Sequence, residues 1–264
     1  MPDEMIWLVS YPKSGNTWFR FVIFYLFHGR LPSSSSELDI GFNSKLPVRT
    51  ADWAKKSHAQ FDPLKPHLQP TDRIIYVYRH PLDVLQSALN YALLNDEISD
   101  GADDRQKWIN RYIENSGHGD WLGAPYDAGT WPENITSWMS QEEFRTFLVS
   151  YEETKQHPTA TIAALAKFLN LDVGARTIQD CAIETSFESL RSFETKELDL
   201  AAELGKPQGR FSQSNRLVNY EKGIRFFNQG KTGSYREQIH ADDIARAWTK
   251  LGPVATKLGY TIDD

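Results

Sequence analysis

Near the start of the chain an apolar run, Met5-Ile-Trp-Leu-Val-Ser-Tyr, breaks at Pro12-Lys-Ser-Gly-Asn16 and resumes from Thr17 through Phe27. The pattern predicts a buried strand over Ile6–Ser10, a tight loop over Pro12–Asn16 and a helix from Thr17 to about Gly29. Such a unit attracts an anion, because the helix start offers free N–H groups and the positive end of its dipole. Gly15 lets the backbone approach closely, and Lys13 adds a full charge. The loop is not the nucleoside-triphosphate pattern Gly-x-x-x-x-Gly-Lys-Ser/Thr, since no glycine precedes Gly15 and the lysine stands before it. An ordinary strand-to-helix turn with a solvated Lys13 is the alternative.

Two more strands are legible, Arg73–Tyr78 and Arg145–Ser150, and Trp53–Phe61 reads as a short strand running into a loop. Pro81 is placed to open a helix reaching about Leu94. Helical spacing recurs over 105–115, from Trp131, over Pro158–Leu169, over Ile178–Ser192 and over Asp242–Leu258. Residues 31–47 read as loop. From Glu194 to about 222–224 the chain is polar without a clear period, which suits a mobile lid or an irregular substrate wall.

Strands alternating with helices predict an α/β fold, a central parallel sheet with helices on both faces and ligands beyond the strand carboxyl ends. The 264 residues are read as a single domain, 1–264. A net charge of −6 argues against nucleic acid as a partner. No apolar run reaches the roughly 18 residues of a membrane span, and the start lacks a secretory n-region. The one cysteine, Cys181, leaves no intrachain disulfide and suits a reducing, cytoplasmic setting; its plainest role is a small buried apolar residue.

Tyr11-Pro-Lys-Ser-Gly-Asn-Thr-Trp18 resembles the 5′-phosphosulfate loop of sulfotransferases that use 3′-phosphoadenosine 5′-phosphosulfate. Tyr78-Arg-His-Pro-Leu-Asp-Val-Leu-Gln-Ser87 resembles that family's 3′-phosphate segment, with Arg79 and Ser87 at its spacing. Tyr151-Glu-Glu153 is similar to its Tyr-Glu-Asp turn, and Thr185-Ser-Phe187 to its Thr-Ser-Phe segment near the adenine. Trp131-Pro-Glu-Asn-Ile135 is similar to bacterial members that decorate secondary metabolites such as glycopeptides; its plain reading is packing and a helix start.

The resemblance implies a metal-independent transferase with that donor as co-substrate and a hydroxyl or phenol of a small molecule, aromatic or glycopeptide-like, as acceptor. Sulfuryl transfer needs a base for the acceptor proton, cations for charge on the leaving group, and in-line placement. His58, in Lys56-Ser-His58, is the candidate base, although a loop histidine is ordinarily structural or solvated. His118, flanked by glycines, is the substitute. Lys13 would neutralise the leaving phosphate in a role magnesium fills elsewhere, and Lys56 would support the sulfuryl group. Ser14, Gly15, Asn16 and Thr17 would bind the 5′ side, with Trp18 near the adenine. Arg79 and Ser87 would hold the 3′-phosphate, or Arg79 would pair with Asp83. Tyr151, Thr185 and Phe187 would complete the nucleoside pocket.

One departure stands out. The family closes its 3′-phosphate site with Arg-Lys-Gly-x-x-Gly-Asp-Trp, and this chain reads Asn228-Gln-Gly-Lys-Thr-Gly-Ser-Tyr235. Gly230 and Gly233 keep the spacing, and Lys231, Arg225 or Arg236 would replace the missing charges. Trp108, Trp121, Tyr126 and Trp131 suit a broad apolar acceptor or simply a core. The resemblance also implies a homodimer, although no segment matches the family's usual dimerisation segment. A kinase-like enzyme and a non-catalytic nucleotide-binding protein are the competing readings; the first lacks its phosphate loop, and the second has only the altered 228–229 pair in its favour.

Overall fold

A computed structural model describes residues 5–40, 54–118 and 128–264. Trp53, Trp121, Tyr126 and the end of the expected 31–47 loop lie outside the described residues. The sheet comprises β1 (Ile6–Ser10), β2 (Ala54–Ser57), β3 (Arg73–Tyr78) and β4 (Thr146–Ser150), all parallel, in the order β2-β1-β3-β4. Because β1 lies centrally and the chain leaves it toward β2 before crossing to β3, the crevice beyond the carboxyl ends of β1 and β3 is the switch point where ligands settle.

The helices are α1 (Asn16–His28), α2 (Ser35–Ile40), α3 (Phe61–Leu64), α4 (Pro81–Leu94), α5 (Ala102–Glu114), α6 (Trp131–Met139), α7 (Tyr151–Gln156), α8 (Pro158–Phe168), α9 (Ala175–Glu184), α10 (Phe187–Leu204), α11 (Ser214–Glu221), α12 (Tyr235–Gln238) and α13 (Ala241–Ala255). Strand alternation divides the core. Trp7, Val9, Ile74 and Tyr76 face one way and pack with α4, α5, α6 and α13; Ile6, Leu8, Ile75 and Val77 face the other and pack with α1, α8 and α9. Both faces are buried, as a parallel sheet requires. No described helix is long and apolar enough to cross a membrane.

Three expectations are corrected. The 31–47 stretch is not loop throughout, because α2 occupies Ser35–Ile40 and its Asp39 pairs with the buried Arg20 of α1. The single helix expected over 178–192 is two, α9 and α10, broken at Thr185-Ser186, where the Ser186 hydroxyl caps α10 by accepting from the Ser189 N–H. The 194–224 segment is not irregular throughout: α10 runs through Leu204 and α11 follows after a turn. Its apolar period is hidden because two inward positions are carboxylates, Glu194 and Glu197, both buried. Cys181 is fully buried in α9, where burial pushes its thiol up to about 12.

Candidate active site

A cavity of about 410 Å³ opens beyond the carboxyl ends of β1, β2 and β3, and the loops leaving those strands bring Lys13, Lys56, His58 and Arg79 to its wall. Among the described residues, the lysines and arginines that line it are Lys13, Lys56, Arg79, Lys155, Arg210 and Lys231, against one carboxylate, Glu188. Such a wall selects a polyanion.

The floor is the β1–α1 loop. Gly15 precedes α1 at φ 105°, and a Cβ there would stand 2.7 Å from the Tyr151 ring, so both conformation and packing require glycine. No described side chain caps α1 and its first turn holds no acidic residue, which leaves its N–H groups for an anion. Lys13 itself adopts φ 68°. Its Nζ lies 4.1 Å from the Tyr91 ring centroid and 4.9 Å from that of Phe226. Burial, with Arg210, Arg216 and Arg79 nearby, holds its ammonium well below the usual lysine range. Asn16 anchors the loop by donating to Ser10 Oγ at 3.2 Å and the Leu8 carbonyl at 3.4 Å.

Arg79, at the end of β3, is a junction. It donates to the carbonyls of Lys13 at 3.4 Å and Lys231 at 3.3 Å, and its guanidinium stacks 4.2 Å from the Tyr151 ring centroid. Asp83 lies 3.9 Å from Arg79 Nη2 and accepts from the Gly233 N–H at 2.9 Å, so the carboxylate aims the guanidinium and pins the 230–233 loop together. Gly230, at φ 63°, leaves room for the Phe187 ring. Among the described residues, Ser14 Oγ, Asn16 Oδ1, Arg79 Nε and Gln229 Oε1 are buried without a hydrogen-bond partner. Of these four, Arg79 Nε is a donor on a side chain of the cavity wall that a phosphate ligand would engage, and an unsatisfied polar atom in a native core calls for such an explanation.

The opposite wall holds a buried histidine, His58. His58 Nδ1 is 2.7 Å from the Ser10 carbonyl. A carbonyl only accepts, so Nδ1 carries the proton and Nε2 is the basic nitrogen. Burial and the neighbouring Lys56 hold the imidazole pKa well below 6.5, keeping it neutral. Lys56 is lowered to about 7 by burial, Arg210 and Arg20. Asn134 of α6 donates to the His58 carbonyl at 3.0 Å and accepts from the Tyr76 hydroxyl at 2.8 Å, which fixes His58 against the sheet.

The structure thus gathers Lys13, Gly15, Asn16, Thr17, Trp18, Lys56, His58, Arg79, Ser87, Tyr151, Thr185, Phe187, Gly230 and Lys231 around one cavity. Ser14 lies fully buried beneath the loop, off the cavity wall. Trp18 donates to the Thr185 carbonyl at 2.8 Å, tying the loop to the α9–α10 break. His118 does not line the cavity. Arg225 is stacked on Tyr220 and bonded to Thr195, and Arg236 is bonded to the Asp264 carbonyl; neither lines the cavity, whereas Lys231 does. The Trp131 segment is internal: Trp131 is fully buried, and Thr130 and Glu133 form a capping box that starts α6. Sequence reasoning missed Asn134, Tyr91 and Arg210, whose link to the site is purely spatial.

The family model described as a sulfotransferase domain matches residues 3–249. Mouse sulfotransferase 2B1 is 22% identical, over 90% of this chain and 72% of that protein. Flavonol 3-sulfotransferase of Flaveria bidentis is 24% identical, over 97% and 82%. Among solved structures, mouse sulfotransferase SULT7A1 complexed with PAP superimposes with a TM-score of 0.63 at 19% identity, covering 99% of this chain and 86% of that one. Retinol dehydratase in complex with androsterone and PAP gives 0.67 at 14%, covering 96% and 81%. The parallel sheet, the anion floor and the matched domain agree, and the chain belongs to the sulfotransferase domain family, enzymes of sulfuryl transfer from 3′-phosphoadenosine 5′-phosphosulfate.

Proposed function

We propose that this cavity moves a sulfuryl group from 3′-phosphoadenosine 5′-phosphosulfate to the hydroxyl of a small phenol or alcohol, with His58 as the base. The observation that carries the reading is the bond from His58 Nδ1–H to the Ser10 carbonyl, which leaves Nε2 as proton acceptor in a side chain on the cavity wall. Neutrality matters as much as position, since an imidazolium cannot take a proton.

In this reading Arg79 and Ser87 hold the 3′-phosphate, with the Gly230 and Lys231 loop beside them. Lys13 and the first-turn N–H groups of α1 hold the 5′ side, where charge collects as the bond to sulfur breaks. Lys56 faces the sulfuryl group. Trp18, Tyr151, Thr185 and Phe187 enclose the nucleoside. The chain acts as one domain, 1–264, with 194–224 as the wall beside the acceptor. The rings of Tyr91 and Phe226, and relatives named for a flavonol and for retinol, support an apolar or aromatic hydroxyl compound. A glycopeptide-like acceptor rested on the Trp131 segment, which here serves packing, capping and the hold on His58. We also place the enzyme in the cytoplasm, a reading that fractionation of tagged protein checks.

The test is His58→Ala with ³⁵S-labelled donor and a panel of phenols and alcohols. Binding of 3′-phosphoadenosine 5′-phosphate is expected to persist while turnover falls by about 10²–10⁴-fold. Full turnover in that variant would remove His58 from the chemistry.

A further inference from the structure

The cavity wall carries a cation, Arg210, that neither the donor motifs nor the family resemblance assigns. Arg210 lies in the turn between α10 and α11, and its side chain lines the cavity with Lys13, Lys56 and His58. Among the described residues no carboxylate pairs with it. Its charge helps to lower the pKa of Tyr91, whose ring centroid lies 4.1 Å from Lys13 Nζ, and also acts on Lys13 and Lys56. Arg210 thus shares one cavity with Lys13, Lys56 and His58, the residues read above as surrounding the transferring group.

The turn that carries it is built. Glu197 of α10 is buried, and its carboxylate accepts from the Ser35 N–H at 2.7 Å, the Ser35 hydroxyl at 2.8 Å and the Phe211 N–H at 3.0 Å. Ser35 Oγ in turn accepts from the Arg210 N–H at 2.5 Å. Ser212 Oγ accepts from the N–H groups of Gln208 at 2.8 Å and Gly209 at 3.0 Å, and Arg216 donates to the Arg210 carbonyl at 2.8 Å. A Cβ on Gly209 would stand 2.6 Å from the Glu197 carboxylate, so the turn is also closely packed. This much buried bonding for one surface turn fixes the direction of its half-buried arginine.

We propose that Arg210, carried on the turn that Glu197 holds, is a catalytic residue of the transfer, a second cation on the sulfuryl oxygens beside Lys56. The inference rests on reading this cavity as the transfer site. In the step, the acceptor oxygen forms a bond to sulfur and the bond from sulfur to the 5′-phosphate oxygen breaks. The electron pair stays on that phosphate, and the acceptor proton passes to His58 Nε2. Arg210 then steadies the sulfuryl oxygens during transfer, while Lys13 takes the charge left on the phosphate.

The product nucleotide, 3′-phosphoadenosine 5′-phosphate, lacks the sulfuryl group and separates this role from phosphate binding. Arg210→Ala and wild type are compared by single-turnover transfer of ³⁵S from labelled donor to 2-naphthol, by release of label to water without it, and by calorimetry with the product nucleotide. The expected result is transfer slowed by about 100-fold to both acceptors, with product-nucleotide affinity within about three-fold of wild type. Unchanged transfer overturns the proposal. So does a fall in nucleotide affinity that parallels the loss, which makes Arg210 a phosphate ligand, or a rise in KM for 2-naphthol at constant kcat, which makes it an acceptor contact. Should Arg210→Ala lose its cooperative melt, Arg210→Lys is read the same way, with a loss of about ten-fold expected. Failure of wild type to move label at all refutes the reading of the cavity and the role of Arg210 with it; normal wild-type transfer with an unimpaired variant refutes Arg210 alone.

Discussion

Lys56 offers a quantitative test of how the cavity handles charge. Burial and the cations Arg210 and Arg20 lower its pKa from 10.5 to about 7, opposed only by Asp39. A bound phosphosulfate brings the counter-charge that the wall lacks, so the ammonium should regain its proton on binding. At pH 8 the free side chain is about one-tenth protonated and the bound one nearly fully, which predicts uptake of about 0.9 proton by Lys56. At pH 6 it is already about nine-tenths protonated, and the same difference shrinks to about 0.1. Restoring the full 3.5 units corresponds to at most about 5 kcal/mol of interaction selective for the charged form.

The assay is calorimetry of donor binding without acceptor, in buffers of different ionisation enthalpy, for wild type and Lys56→Gln. The slope of apparent enthalpy against buffer enthalpy gives the protons taken up, and the difference between the two proteins isolates Lys56 from Lys13. A difference near 0.9 at pH 8 that collapses at pH 6 is expected. Equal slopes at pH 8 would show that Lys56 is already protonated in the free enzyme, and the account of the wall as a set of mutually repelling cations would be wrong. The same depression has a stability consequence. Between about pH 7 and 10.5 the unfolded chain holds a proton the folded one has lost, so the contribution of Lys56 to stability rises with pH across that window.

Three further outcomes are expected. Arg79→Ala should weaken 3′-phosphoadenosine 5′-phosphate by about 30-fold or more while leaving AMP nearly unchanged, by calorimetry; equal losses for the two ligands would take Arg79 out of the 3′-phosphate site. Gly15→Ala forces a side chain onto φ 105° and into the Tyr151 ring, so the melting temperature should drop by about 4–8 °C and donor affinity with it; an unchanged melt would mean the loop is not held by that packing. Asn134→Ala strips the bonds to the His58 and Ala128 carbonyls, and kcat should fall by about ten-fold with product-nucleotide affinity retained, a split that simple loss of folded protein would not give.

What the sequence reveals of this enzyme follows from how local each feature is. β1, β3 and β4 are buried on both faces or continuous in apolar pattern, and the phosphate loop and Arg79–Ser87 are each contained in one strand-to-helix junction, so motif spacing alone locates them. The residues that brace the cavity wall act at long range. Asn134 reaches His58 across 76 residues, and Glu197 reaches Ser35 across 162. α10 looks aperiodic because Glu194 and Glu197 turn inward, and both are buried to receive backbone N–H groups, Glu194 from Phe226 and Phe227 and Glu197 from Phe211. Each of those amides belongs to a segment that walls the cavity. The break in hydrophobic pattern that hides the helix is therefore the same device that fixes Phe226 beside Lys13 and holds the turn that carries Arg210: a carboxylate is buried where the wall needs an anchor, and the helix gives up its apolar stripe to supply it.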